Sequence, residues 1–226
     1  MKKIIQIPLF LLLTASFAFA QFGKLGGLLG GGKNESSGMD KGAYLEQGKQ
    51  LVQGYAKLQA AILEVGAAQA EAEGDMAAAE SYRVTASLLT KNPTSENFEA
   101  AQQKSKEITE KQKDTEKRSV EYSEKGKKAL QATLPGSFVT VAGAVALGVQ
   151  SVDWLKEYPN QLKAAGTFGK LKLVKELKVP LMVAKSLPDS LVTIPRTLKA
   201  ITGTAKKQGV NVKNAEKEAQ AIKLND

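Results

Sequence analysis

The side chains with the types and spacing to do chemistry are two carboxylates, Glu71 and Glu73, and five lysines, Lys170, Lys172, Lys175, Lys178 and Lys185. Paired carboxylates serve general acid–base chemistry, as in glycoside hydrolysis, when their surroundings separate their protonation states. Lysines flanking an apolar helix face suit an anionic surface. The chain has no His and no Cys. That removes the commonest general base, the Ser-His and Cys-His nucleophile pairs, and most zinc or transition-metal sites. It also removes any disulfide-linked partner. The chain holds no Gly-rich phosphate loop, metal-ligand cluster or nucleophile elbow. No catalytic, cofactor-binding or metal-ligating residue is therefore assigned, and no cofactor is expected. A single glutamate in a groove has no sequence signature, so a cell-wall polysaccharide-acting enzyme stays as an alternative.

The elements that position these residues follow an export signal. "MKKIIQIPLFLLLTASFAFA" has two lysines, an apolar run from Ile4 to about Phe17, and Ala18-Phe19-Ala20. This is a charged n-region, an h-region and an A-x-A cleavage site, and it predicts a cleaved signal peptide over residues 1–20. The apolar run is short for a span of roughly 20 residues, and no Cys follows the site to carry a lipid. Residues 21–39 hold seven glycines and predict a flexible lead. Phe22, Leu25, Leu28 and Leu29 within it could dock on a surface.

Charge is unevenly spread beyond the signal. Residues 21–153 carry 16 basic and 17 acidic groups, whereas residues 154–226 carry 14 and 6. For an exported chain this excess points to anionic lipid, lipopolysaccharide phosphates or an acidic envelope protein, and not to nucleic acid.

Helical periodicity then runs through the chain as one predicted helical domain, residues 40–226. Asp40 is placed to cap a helix reaching about Glu73, with Leu45, Val52, Tyr55, Leu58, Ile62 and Val65 on one stripe. Gly48, Gly54 and Gly66 lower its helix propensity but allow a close neighbour. Gly74-Asp75 stops it and starts a second helix to about Thr90. Ala79, Tyr82 and Ala86 mimic part of a tetratricopeptide repeat, but such arrays need about three copies and none recurs, so a plain helical hairpin is expected. Pro93 ends that helix, and Thr94 or Ser95 caps the next.

From Glu99 to Lys128, 16 of 30 residues are charged. Glu107 with Lys111, Asp114 with Arg118, Glu121 with Lys125, and Glu124 with Lys128 stand four apart, acid first, and predict a solvated rod. Pro135-Gly136 is expected to end it.

Residues 129–152 then contain no charge at all. A helix apolar on every side is buried in protein or in a membrane. Bounded by Pro135-Gly136, it has about 13 suitable residues, too few to span. A central core helix over Phe138–Val152 is expected, with Trp154 where it emerges into solvent. A segment entering a bilayer interface is the alternative.

Shorter helices are expected to follow Pro159. One carries Phe168, Leu171, Val174, Leu177, Leu181 and Ala184 on a single face, with the five lysines flanking it. That face could meet an anionic surface, or pack inward with its lysines reaching water. Leu191, Ile194, Leu198, Ile201 and Ala205 form a further stripe. No stretch sustains strand alternation.

The layout of signal peptide, "FGKLGGLLGGGK", long helix, "NPTSENFEAA" and "SLPDSLVTIPRTLKAITGTAKKQGV" resembles a group of small exported bacterial all-helical proteins with no assigned activity. The resemblance implies an all-α exported protein and assigns no site residue. The expectation is therefore an all-α helical bundle: two long N-terminal helices, a buried apolar helix and shorter C-terminal ones. Its expected function is non-catalytic binding or scaffolding in the cell envelope, in the periplasm of a Gram-negative cell. A membrane-active or anionic-lipid-binding protein is the first alternative.

Overall fold

The computed structural model describes residues 39–115 and 120–224. The expected signal peptide, the lead up to residue 38 and Arg118 lie outside the described residues. Seven helices and no strand occur among the described residues, so the chain is an all-α helical bundle.

Helix α1 (Lys41–Ala72) starts at Asp40, whose carboxylate accepts from the amides of Gly42 (2.9 Å) and Ala43 (3.3 Å). That satisfies two of the orphan donors of its first turn. Gly74 turns the chain after α1 in a left-handed conformation (φ +83°), which suits a residue without Cβ. Asp75 caps α2 (Met76–Lys91) through the Ala78 amide at 3.0 Å. Thr94, after Pro93, caps α3 (Ser95–Thr115) through the Asn97 amide at 3.3 Å. Then follow α4 (Glu124–Ala164), α5 (Gly166–Glu176), α6 (Lys178–Lys207) and α7 (Val212–Leu224).

The centre of the bundle is α1, not the expected Phe138–Val152 segment. Helices α2, α3, α4 and α6 all pack on α1. Its small residues make this possible, because a neighbour can close on any side. Trp154 of α4 lies over Gly48, where an added Cβ would be 3.1 Å from the indole. Leu147 lies over Gly54, at 2.5 Å from such a Cβ. Trp154 is not at an emerging end of its helix. It is 1% exposed, stacks on Tyr44 at 4.7 Å, and donates its indole N–H to the Tyr44 carbonyl at 3.0 Å.

The charged rod is not continuous. Residues 120–123 are non-helical. Gln208 clamps this connection: its Nε2 donates to the Val120 carbonyl (2.7 Å), and its Oε1 accepts from the Tyr122 amide (3.2 Å). Ser123 caps α4 through the Gly126 amide at 3.1 Å. Of the acid-first pairs, Glu107–Lys111, Glu121–Lys125 and Glu124–Lys128 give way to others, while Asp114–Arg118 lies outside the described residues. Glu107 pairs with Lys104 (2.8 Å), Lys111 with Asp75 (2.6 Å), Lys125 with Glu71 (3.4 Å), and Glu124 with Lys127 (2.8 Å). Exposed i,i+4 pairs stabilise a helix by only a few tenths of a kcal/mol, so tertiary partners override them easily.

Prolines expected as boundaries lie inside long helices. Helix α4 passes through Pro135 and Pro159; α6 also contains Pro188 and Pro195, the latter within the apolar stripe expected over Leu191–Ala205. An internal proline costs about 3 kcal/mol in a free helix. Here Pro135 is buried, as are Leu130, Leu134 and Ser137 on the adjacent turns, so packing offsets that cost. Pro180 falls in the first turn of α6, where its missing N–H has no intrahelical role.

Continuity through Pro135 alters the expectation for the apolar segment. Helix α4 is long and apolar enough by composition to cross a membrane, and 33% of its most apolar 18-residue window is buried. One face holds Ala144, Leu147, Ser151 and Trp154, all buried. The opposite face is open: Val145, Val149 and Val152 are 42%, 62% and 46% exposed. The expectation that Val145 lies in the core is corrected. The central place is already filled by α1, so α4 packs by one side alone.

Candidate ligand groove and basic surface

Along the junction of α1, α3 and α6 the bundle interior is polar. Tyr55 and Gln59 stand one turn apart on α1, and the Gln59 amide donates to the Tyr55 hydroxyl at 2.9 Å. Ser190 of α6 bonds that hydroxyl at 2.7 Å, and Gln102 of α3 donates to it at 3.2 Å. Ser105 of α3 donates to the Gln59 carbonyl oxygen at 3.1 Å, and Thr109 bonds Thr197 of α6 at 2.8 Å. Three helices thus share one hydrogen-bonded floor. Buried polar groups are tolerated only when partnered, and an apolar trio of helices could pack here without them.

Above this floor, α3 and α6 diverge into a groove of about 750 Å³. Its rim carries Lys106 and Glu110 on α3, and Lys185, Asp189 and Arg196 on α6. None of these five makes an ion pair among the described residues. The groove therefore offers hydroxyls, side-chain amides and unpaired charge of both signs, in a volume that suits a small ligand. Sequence reasoning missed it. Its signal was present as Ser186, Ser190, Thr193 and Thr197, a polar strip at three- and four-residue spacing beside the apolar stripe of α6.

The carboxylate pair lies elsewhere, with both members tied. Glu71 accepts from Arg83 at 2.5 Å and meets Lys125 at 3.4 Å. Those hydrogen bonds, Arg83 first, hold its carboxyl below the ordinary range. Glu73 accepts from Gln69 at 2.6 Å. Glu71 thus joins the C-terminal end of α1 to α2 and α4, whereas the Glu73 bond is to its own helix. The carboxylate whose proton affinity is raised is Glu64, half-buried on α1, and desolvation is the main cause. It does not line the groove.

The five lysines do not form one helix face. The chain breaks at Leu177, which places Lys170, Lys172 and Lys175 on α5, Lys178 at the start of α6, and Lys185 on the groove rim. All five are exposed. The expected apolar face is also turned. Leu173 and Leu177 are buried, whereas Leu171 and Val174 are 68% and 46% exposed among the lysines. The segment has two apolar edges, 171/174 and 173/177, and the break lets the second one pack.

Among the described residues no group of three or more metal-ligand side chains is placed to hold an ion. Comparison with protein-family models, with curated proteins and with solved structures finds no match.

Proposed function

We propose that this is an exported, non-catalytic binding protein of the cell envelope, taking a small polar ligand between α3 and α6. The observation that carries this reading is the partnered polar floor of Tyr55, Gln59, Ser105 and Ser190 beneath five unpaired rim charges. A bundle gains no stability from such a layer relative to apolar packing, whereas a ligand site needs it. The non-catalytic part is supported by Glu71, which Arg83 of α2 and Lys125 of α4 hold as a strut between helices.

The test is native mass spectrometry of the purified chain equilibrated with low-molecular-weight envelope extract. A retained mass that also raises the melting temperature is expected, and Arg196→Ala with Asp189→Ala should release it. No retained mass from any fraction, or retention untouched by those substitutions, refutes the groove. Clearing of a peptidoglycan gel that depends on one glutamate refutes the non-catalytic reading.

A further inference from the structure

The outward face of α4 has an order along its length. Val145, Val149 and Val152 recur at four and three residues, which places them on one stripe. Continuing that stripe at the same period gives Lys156, Pro159 and Lys163, all exposed. Half of the face is therefore apolar, with no charge from residue 129 to 152, and the other half carries Lys156 and Lys163, the former paired with exposed Asp153 at 2.9 Å. At 1.5 Å per residue, Val145 to Lys163 runs about 27 Å. Helix α5 begins three residues later. Its outward side adds Leu171 and Val174, at 68% and 46% exposure, among Lys170, Lys172 and Lys175.

Exposed single valines are ordinary, but a periodic stripe that ends in lysines is an interaction surface. We infer that the outward faces of α4 and α5 dock this protein on an anionic lipid bilayer, with the valine stripe lying in the headgroup interface. Charge selects this occupant: residues 154–226 hold 14 basic groups against 6 acidic, and the lysines cluster where the stripe ends. Helix α4 lies on the bilayer and does not span it. Its other face is committed to the bundle through Leu147 (3% exposed), Ser151 (0%) and Trp154 (1%). The inference goes beyond the groove reading and does not depend on it.

The chain has no cysteine, so a polarity-sensitive fluorophore can be placed at one chosen position. Val149→Cys reports on the stripe. Leu88→Cys, 51% exposed on α2, is the control. Residues 1–38 are present in both chains, so any membrane contact they make is common to the two. With vesicles of phosphatidylglycerol and phosphatidylcholine, emission should rise and shift blue at position 149 and stay unchanged at 88. With phosphatidylcholine alone neither should respond. Neutralising Lys170, Lys172 and Lys175 to Gln should weaken the response roughly hundredfold, because each lysine near such a surface contributes about a fivefold factor. Equal responses on both vesicle types, or a response confined to position 88, overturns the inference. So does a vesicle-independent response at position 149: one that grows with protein concentration assigns the stripe to a second copy, and one independent of concentration assigns it to Phe22–Leu29 of the same chain.

Discussion

Two substitutions two residues apart on α4 test whether this helix is half core and half surface. Leu147 is 3% exposed and fills the space over Gly54. Leu147→Ala removes its side chain from a packed interior, which costs about 2–5 kcal/mol from lost burial plus the cavity left behind. Val149 is 62% exposed. Val149→Asp adds a charge that stays in water, and the two residues have similar helix propensity, so the change should stay within about 0.5 kcal/mol. For a chain of this size 1 kcal/mol moves the melting temperature by about 2–4 °C. Leu147→Ala should therefore lower it by about 4–20 °C, and Val149→Asp by no more than about 2 °C. The assay is built into the protein. Its one tryptophan, Trp154, lies buried on the same face as Leu147, stacked on Tyr44, so its emission shifts red when that face opens. If Val149→Asp proves as damaging as Leu147→Ala, the stripe is core and the open face does not exist. If neither has an effect, α4 is not packed on α1 as described.

Glycine to alanine should have opposite signs at the two ends of one stretch of α4. A methyl at Gly126 would overlap the Ala72 backbone, so Gly126→Ala should lose about 1–3 kcal/mol, while Gly136, with nothing within 4 Å, should gain up to about 1 kcal/mol in helix propensity; thermal unfolding followed by circular dichroism reads both, and equal signs would contradict the close approach. Gln59→Leu removes bonds to Tyr55 (2.9 Å) and Ser105 (3.1 Å) and should destabilise by about 1–3 kcal/mol in urea, although leucine is the more apolar residue; a more stable variant would mean the polar floor is incidental. Glu71 is held below its ordinary value of 4.5, so its contribution is complete above that pH and is lost as pH falls through the lower folded value. Stability should decline on acidification below about 4.5, and Glu71→Gln should flatten that limb; an unchanged acid limb would show that the Arg83 and Lys125 contacts contribute nothing.

Helix starts were legible in the sequence, and helix partners were not. Asp40, Asp75 and Thr94 cap where their side-chain chemistry places them, because a cap is decided within four residues. Pro135 and Pro159 misled, because an internal proline is disfavoured locally by an amount that packing, as around buried Pro135, can offset. The charge pairs misled for the same reason on a smaller scale: Lys111 reaches Asp75 on another helix instead of Glu107 on its own. The choice of central helix needed three dimensions. Both α1 and the 129–152 segment are rich in Ala and Gly, and both could sit in the middle. What separates them is that α1 buries Leu58, Ala60, Leu63, Val65 and Ala68, which lie around its circumference, so four neighbours find apolar contacts there.

That arrangement produces an inversion that bears on function. The most central helix of the bundle keeps Gln59 2% exposed, while the helix with the longest uncharged run holds Val149 62% exposed. Packing for stability alone would exchange those environments, since burying an aliphatic side chain is favourable by about 1.5–3 kcal/mol and burying an amide requires partners. Part of the inversion is grouped: Gln59, Gln112, Ser190 and Thr197 line one groove between α3 and α6, and Val145, Val149 and Val152 form one stripe on α4. Departures from the stability optimum that gather in this way, each with its own complementary chemistry, mark surfaces built for contact. On the proposed reading the groove takes a small polar ligand and the stripe meets an apolar boundary under negative charge. Under the two proposals together, the chain holds a small polar molecule while resting on a membrane.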